Sequence, residues 1–181
     1  TCFLTFFYNG ALNILITKPL DTKEFVTAVK PYKITMLAGM NRLFDGLLNE
    51  PGFDQLDFSA LKVTVGSGMA IQPSVAVQWK RVTKVTLLQA YSQTETSLGI
   101  SCCPFNANNG VGTVGIPLPS TEISIRNDLG AELDIDYPGE IWVRGPQVMR
   151  GYWQNVSATS EVLTNDGWFK TGDVGMINEN G

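Results

Sequence analysis

"LKVTVGSGMAIQPSVAVQWKRVTKVTLLQAYSQTETS", residues 61–97, decides the fold. LKVTVGSG (61–68) reads as a strand that breaks into glycines, and VTLLQAYS (85–92) as a second strand. Between them, IQPSVAVQWKRVTK (71–84) has helical character, with Pro73 in its first turn. Two strands joined through a helix pair in parallel, because a tight hairpin cannot connect parallel neighbours. In sheets of this kind ligands gather beyond the carboxyl ends of the strands. Both strands here end in unusual loops, Gly66-Ser67-Gly68-Met69 and Tyr91-Ser92-Gln93-Thr94-Glu95. The two loops are expected on one edge of the sheet.

Working outward, LNILIT (12–17) and ITMLAG (34–39) read as further strands, separated by a helix over EFVTAVKPY (24–32). Asp21 followed by Glu24 has the spacing of a capping box, and Phe25, Val26 and Val29 share one face. NRLFDGLLNE (41–50) carries Leu43, Phe44, Leu47 and Leu48 at helical spacing. Downstream, NANNGVGTVGIPLPS (106–120) marks a boundary rich in Gly, Asn and Pro. TEISIRN (121–127) and GEIWVRG (139–145) then alternate like antiparallel strands, and SATSEVLT (157–164) reads as a short helix before DGWFKTGDVG (166–175). The fold class is therefore α/β: a largely parallel sheet with packed helices over 1–105, followed over 106–181 by a small antiparallel, β-barrel-like subdomain.

Composition narrows function by exclusion. The 181 residues are 44% hydrophobic and 17% charged, a globular balance, with a net charge of -4. Lys and Arg are scattered, which speaks against nucleic acid. Apolar runs fall short of a membrane span and are broken at Asn9, Gly10 and Asn13. Three cysteines, Cys2 and the adjacent Cys102 and Cys103, make a poor disulfide framework and suit a reducing cytosol. With no histidine, the serine- and cysteine-triad chemistries are excluded, as are most zinc sites. The start inside an apolar segment and the end on Asn180-Gly181, which suits a hairpin turn, are expected of an internal piece of a longer protein.

Each motif has two readings. Gly66 and Gly68 let backbone approach a ligand closely, or they form an ordinary strand-to-helix turn; the third glycine of a dinucleotide fingerprint is missing. Tyr91 offers a stacking surface, Thr94 a phosphate donor and Glu95 a hard oxygen ligand for Mg2+. Equally, Thr94 or Ser92 could cap a short helix. Asp173 in FKTGD (169–173) could bind a vicinal diol or serve as a turn residue. Arg144 and Arg150, beside aromatics, could bind phosphate or belong to a strand edge.

The order VGSGMAIQP, LLQAYSQTE, VGTVGIPLPSTE, GEIWVRGPQVMRGYW and DGWFKTGDVG resembles the adenylate-forming acyl-CoA synthetases over essentially the whole chain. NILITKPLD and NRLFDGLLNEPGFDQLDFSAL are similar to the bacterial long-chain fatty acid–CoA ligase branch. The resemblance implies a two-step reaction in which a fatty carboxylate attacks the α-phosphate of ATP and coenzyme A then displaces AMP. No protein nucleophile is needed, in keeping with the missing histidine. It also implies residue roles. Ser67, Gly68 and Met69 would line the adenine and acyl-adenylate junction, and Gln89, Ala90 and Tyr91 would lie beside adenine, Tyr91 stacking on the base. Ser92 joins this nucleotide set. Thr94 would contact the α-phosphate, Glu95 would coordinate Mg2+, and both are the catalytic candidates. Asp173 would bind the ribose hydroxyls, and Gly39 and Met40 would begin the wall of the acyl tunnel. Ser67 and Ser92 stand where glycine is common in the family.

The phosphate loop with its lysine, the hinge aspartate and the lysine-bearing C-terminal domain do not occur in these residues. The isolated span is therefore expected to be inactive. The resemblance further implies a cytoplasmic protein, with peripheral contact at the inner membrane and a homodimer of the intact protein allowed. Two other readings stay open: a non-catalytic binding module, and an adenylation domain for amino or aryl acids.

Overall fold

The computed structural model describes residues 2–97, 99–107 and 111–181. The chain divides into two compact units, Thr1–Ala90 with Cys103–Gly115, and Tyr91–Cys102 with Ile116–Gly181.

The first unit begins with α1 (Cys2–Tyr8), where Phe3 and Phe7 stack one helical turn apart at 5.6 Å between ring centroids. Residues 12–17, expected as a strand, form none. Their apolar pattern has no neighbouring strand among the described residues, and an extended segment becomes a strand only by pairing. Next, α2 (Thr22–Val29) opens at the expected cap, with Asp21 Oδ1 accepting from Glu24 N at 3.0 Å, but the reciprocal half of the capping box is not made, because Asp21 N donates to Lys18 O at 3.0 Å. It stops at Val29 rather than running to Tyr32: Lys30 keeps helical backbone and its N–H still donates to Val26 O, but Pro31 has no N–H to make the next helical bond.

The strands β1 (Met36–Gly39), β2 (Val63–Gly66) and β3 (Leu87–Tyr91) follow, with α3 (Asn41–Asn49) and α4 (Pro73–Thr83) as crossovers. Both pairings are parallel, and the register Gly39↔Gly66 and Gly66↔Gln89 brings the carboxyl ends level. The core lies beneath this sheet. Trp79 of α4 is fully buried, edge-on to Phe44 at 4.8 Å and tilted against Phe53 at 5.4 Å. Its Nε1 donates to Thr64 Oγ1 at 3.2 Å, and that hydroxyl donates to Thr86 O at 2.9 Å. The one polar atom of the indole is thus satisfied inside the core.

In the second unit, β4 (Ser101–Cys102) and β5 (Ile116–Pro117) form an antiparallel pair. A separate antiparallel sheet has the order β6 (Glu122–Arg126), β7 (Gly139–Arg144), β8 (Phe169–Gly175). Arg126 lies over the rings of Trp142 and Trp168, and Arg144 over Trp168 while paired with Glu122 at 2.6 Å. The strand reading of Arg144 therefore fits its contacts. The short helix α5 (Val156–Val162) is capped by Asn155, whose Oδ1 accepts from Ala158 N. Among the described residues no helix is long and apolar enough to cross a membrane.

Trp79→Ala removes the largest core side chain, and its loss is expected to cost about 3–5 kcal/mol. Trp79→Phe, which leaves the Thr64–Thr86 bond in place, should cost clearly less. Urea unfolding measures both, and a loss below about 1 kcal/mol for the alanine variant would contradict this account of the core.

Candidate functional site

At the end of β2, Gly66 and Gly68 do different things. A Cβ at Gly66 would meet Ile71 Cδ1 at 2.4 Å, so this glycine makes room for a buried side chain of the protein itself. Gly68 has φ +87° and open space where a Cβ would stand. It turns the chain, and with Met69 it lies exposed, whereas Ser67 is half-buried. Ser67 N donates to Gly39 O at 3.0 Å, tying this loop to the end of β1. Gly39 itself is packed, since a Cβ there would lie 2.7 Å from Leu43 Cδ2; the neighbouring Met40 is exposed. Gln89 is buried with its amide used internally: Oε1 accepts from Ile71 N at 2.8 Å and Nε2 donates to Thr113 O at 3.2 Å. It braces the 67–71 loop, and Ala90 beside it is half-buried.

The second unit begins at Tyr91, the last residue of β3. Residues 94–96 form a single 3-10 turn. The cap falls at Gln93, not at Ser92 or Thr94. Gln93 N donates to Thr96 Oγ1 at 3.3 Å, and the buried Thr96 hydroxyl donates back to Gln93 O at 3.0 Å. Thr96 thus does the capping that the sequence offered to Thr94. The Thr94 side chain is exposed and makes no hydrogen bond among the described residues.

Two distant segments hold this turn. From one, Met149 N donates to Glu95 O at 2.7 Å, Gln147 Nε2 to Gly99 O at 3.1 Å, and Tyr152 Oη to Glu95 Oε1 at 3.0 Å. The bond to Glu95 raises the Tyr152 pKa, because a phenolate there would face a carboxylate.

The other is the Thr171-Gly172-Asp173 segment of β8. The β7–β8 ladder pairs Glu140 with Val174 and Trp142 with Lys170, so Ile141 alone opposes these three residues. Thr171 Oγ1 donates to Ile141 O at 2.7 Å, Gly172 N donates to Glu140 Oε1 at 3.0 Å, and Gly172 turns at φ +73°. Such a bulge re-aims a side chain, here that of Asp173.

The Asp173 carboxylate meets Tyr91, 82 positions earlier in the chain, whose Oη donates to Oδ2 at 2.5 Å. Gln93 Nε2 donates to the same oxygen at 2.6 Å and to Thr171 O at 3.0 Å. Burial, followed by the bond to Asp173, pushes the Tyr91 pKa well up, so the phenol stays protonated as a donor. A cleft of about 230 Å³ beside this cluster is lined by Gln93, Glu95, Tyr152, Lys170, Thr171 and Gly172, among others.

Of the residues singled out in the sequence, Tyr91, Ser92, Thr94, Glu95 and Asp173 lie in the second unit, where Tyr91 and Asp173 are joined directly, while Gly39, Met40, Ser67, Gly68, Met69, Gln89 and Ala90 belong to the first. Gln93, Tyr152 and Thr171 had no assigned role in the sequence reading. Gln93 sits inside the motif and Tyr152 inside GPQVMRGYW, but neither position shows by spacing what it will touch.

Comparison with known proteins fits this arrangement. The AMP-binding enzyme family matches residues 1–153. A long-chain-fatty-acid–CoA ligase of Haemophilus influenzae is 48% identical over 176 residues, 97% of this chain and 31% of that protein. Its counterpart in Bacillus subtilis is 35% identical, over 93% of this chain and 30% of that protein. The chain thus spans about a third of the length of the curated relatives it matches. Among solved structures, ATP-bound MatB from Rhodopseudomonas palustris is 27% identical with a TM-score of 0.78, covering 89% of this chain and 32% of that one. The anthranilate CoA ligase AuaEII in complex with anthranoyl-AMP has a TM-score of 0.88 over 96% of this chain and 33% of its own; at 20% identity that likeness speaks for the fold alone. A match over 153 of 181 residues, on a parallel sheet followed by a small antiparallel one, makes the chain a member of the AMP-binding enzyme family.

Proposed function

We propose that this chain is part of an ATP-dependent long-chain fatty acid–CoA ligase. The observation that carries the reading is the 48% identity to such a ligase across 97% of the chain. In the proposed reaction a carboxylate oxygen attacks the α-phosphorus of ATP, pyrophosphate leaves with its bonding electrons, and the acyl-adenylate remains. The coenzyme A thiol, losing its proton, then attacks the acyl carbon and AMP departs. Both steps depend on holding the reactants together and on offsetting charge as it develops.

Both units belong, in this reading, to one AMP-binding domain. Thr94, exposed and without a hydrogen bond of its own among the described residues, donates to an α-phosphate oxygen. Tyr91 presents its ring to adenine, and Asp173 takes the ribose hydroxyls. Ser67, Gly68, Met69, Gln89, Ala90 and Ser92 complete the nucleotide surroundings, and Gly39 and Met40 begin the acyl wall.

Glu95 suits Mg2+. No group of three or more His, Cys, Asp or Glu that could hold a metal occurs among the described residues. A lone hard carboxylate is the donor set of a magnesium ion that keeps its waters and shares substrate phosphates. Tyr152 anchors Oε1 and leaves Oε2 available for the ion, whose charge would offset that of the phosphates.

The 181 residues contain no Gly-rich phosphate loop with its lysine, so we infer that this span alone does not complete the reaction. The intact enzyme acts, in this reading, in the cytoplasm, with peripheral contact at the inner membrane allowed.

Glu95→Gln in the whole enzyme carrying this span is expected to lower ATP–pyrophosphate exchange by about 10²–10³-fold and to raise the magnesium concentration needed for half-maximal rate. Unchanged exchange and an unchanged magnesium requirement would remove Glu95 from the site. The substrate reading is checked by exchange with acids of different shape. Long-chain fatty acids should support the reaction far better than benzoate or amino acids, and the reverse order would assign the chain to aryl or amino acid activation.

A further inference from the structure

Gln93 sits between the proposed base-stacking residue and the proposed ribose-binding residue without belonging to either. Its side-chain nitrogen lies 2.6 Å from Asp173 Oδ2, 3.0 Å from Thr171 O and 3.3 Å from Tyr91 Oη. The two shortest contacts take its two N–H bonds. The orientation of the amide is fixed by the same neighbours: turned over, its oxygen would face a carboxylate and a carbonyl, two acceptors with no hydrogen between them.

Asp173 Oδ2 therefore receives two donors, Gln93 Nε2 and Tyr91 Oη. An ionised carboxylate offers about four lone-pair sites. Two are used on Oδ2, and the two on Oδ1 match the two hydroxyl donors of a vicinal diol. The cluster satisfies one half of the carboxylate and leaves the other half for a ligand.

We propose that Gln93 is a positioning residue for the nucleotide sugar, fixing Asp173 through Oδ2 so that Oδ1 is presented to the 2′- and 3′-hydroxyls. This rests on the reading of Asp173 as the ribose residue and adds a residue to it. Gln93 is suited to the task because one amide spans the bulge. It holds the Thr171 carbonyl and the Asp173 carboxylate at once, so the segment between them cannot rotate away. Its own backbone is locked by the reciprocal bonds with Thr96.

The test compares ATP with 2′-deoxy-ATP and 3′-deoxy-ATP in the whole enzyme, using kcat and KM for wild type, Asp173→Ala, Gln93→Met and Gln93→Glu. Methionine keeps the reach and shape of glutamine without its donors, and glutamate places a second carboxylate against Asp173. Asp173→Ala should abolish the preference for ATP over both deoxy analogues. Gln93→Met should raise the KM for ATP about tenfold, the scale of one hydrogen bond to a charged group, and shrink the same preference, with kcat and the fatty acid KM little changed. Gln93→Glu should lose more than Gln93→Met.

A merely structural role would lower activity with all three nucleotides equally, and that result overturns the proposal. If Gln93→Met folds poorly, the preference ratio of its folded fraction, or that of Gln93→Glu, still reads the effect. If Asp173→Ala itself leaves the ribose preference intact, the ribose reading has failed and the proposal falls with it. If Asp173→Ala loses the preference while both Gln93 variants keep it, the ribose reading stands and the role of Gln93 is refuted.

Discussion

A parallel strand pair admits no hairpin, and much of the first unit follows from that constraint. Each connection must climb over the sheet, so β1, β2 and β3 all run the same way and their carboxyl ends fall on one edge, level at Gly39, Gly66 and Gln89. The helices that make the return must cover the sheet with apolar surface, and α4 does so with Trp79 against Phe44 and Phe53. The indole nitrogen then requires an internal acceptor, and Thr64, on the strand it covers, provides one. Because Thr64 in turn bonds to Thr86, just before β3, a single polar chain sets helix and both strands in fixed positions.

The second unit solves a different problem, the delivery of a side chain out of a regular ladder. An antiparallel strand sends successive side chains to opposite faces, so its pleat allows only two directions. Opposing Ile141 with three residues breaks that alternation, and Gly172 supplies the left-handed backbone that the excursion needs. The Ile141 carbonyl that loses its ladder partner is satisfied by the Thr171 hydroxyl. Threonine, glycine and aspartate each have a separate task in this segment: one closes the lost bond, one turns the chain, and one is presented.

Much of this was legible in the sequence where the signal is local. The cap at Asp21, Pro73 at the start of α4, the strands ending at Gly66 and Tyr91 and the antiparallel segments after residue 106 all depend on neighbours within a few positions. The errors have local physics too. Residues 12–17 have strand character but no partner strand among the described residues, and α2 ends early because Pro31 cannot supply the next helical N–H. Gly66 and Gly68 look alike in sequence, yet one is required by Ile71 and the other by its own φ. The missed residues are of another kind. Gln93 meets Asp173 across 80 positions and Tyr152 meets Glu95 across 57, and no periodicity or spacing rule encodes contacts at that range.

If Asp173 receives the ribose as proposed, glutamine at position 93 has a chemical logic that a stronger donor would defeat. Arginine would bond a carboxylate more tightly, but its planar fork engages both oxygens and would occupy the lone pairs a diol needs. It would also place a full positive charge against Asp173, lowering the basicity of the acceptor. A neutral amide giving one N–H to one oxygen leaves the carboxylate its charge and one oxygen its capacity. Tyr91 obeys the same rule. Its phenol donates once to Oδ2, and with its pKa pushed up it cannot readily become an anion that repels the group it holds. Two neutral donors on one oxygen thus fix the carboxylate in direction while leaving Oδ1 fully able to accept, which a carboxylate must be if it is to receive hydroxyl groups in water's place.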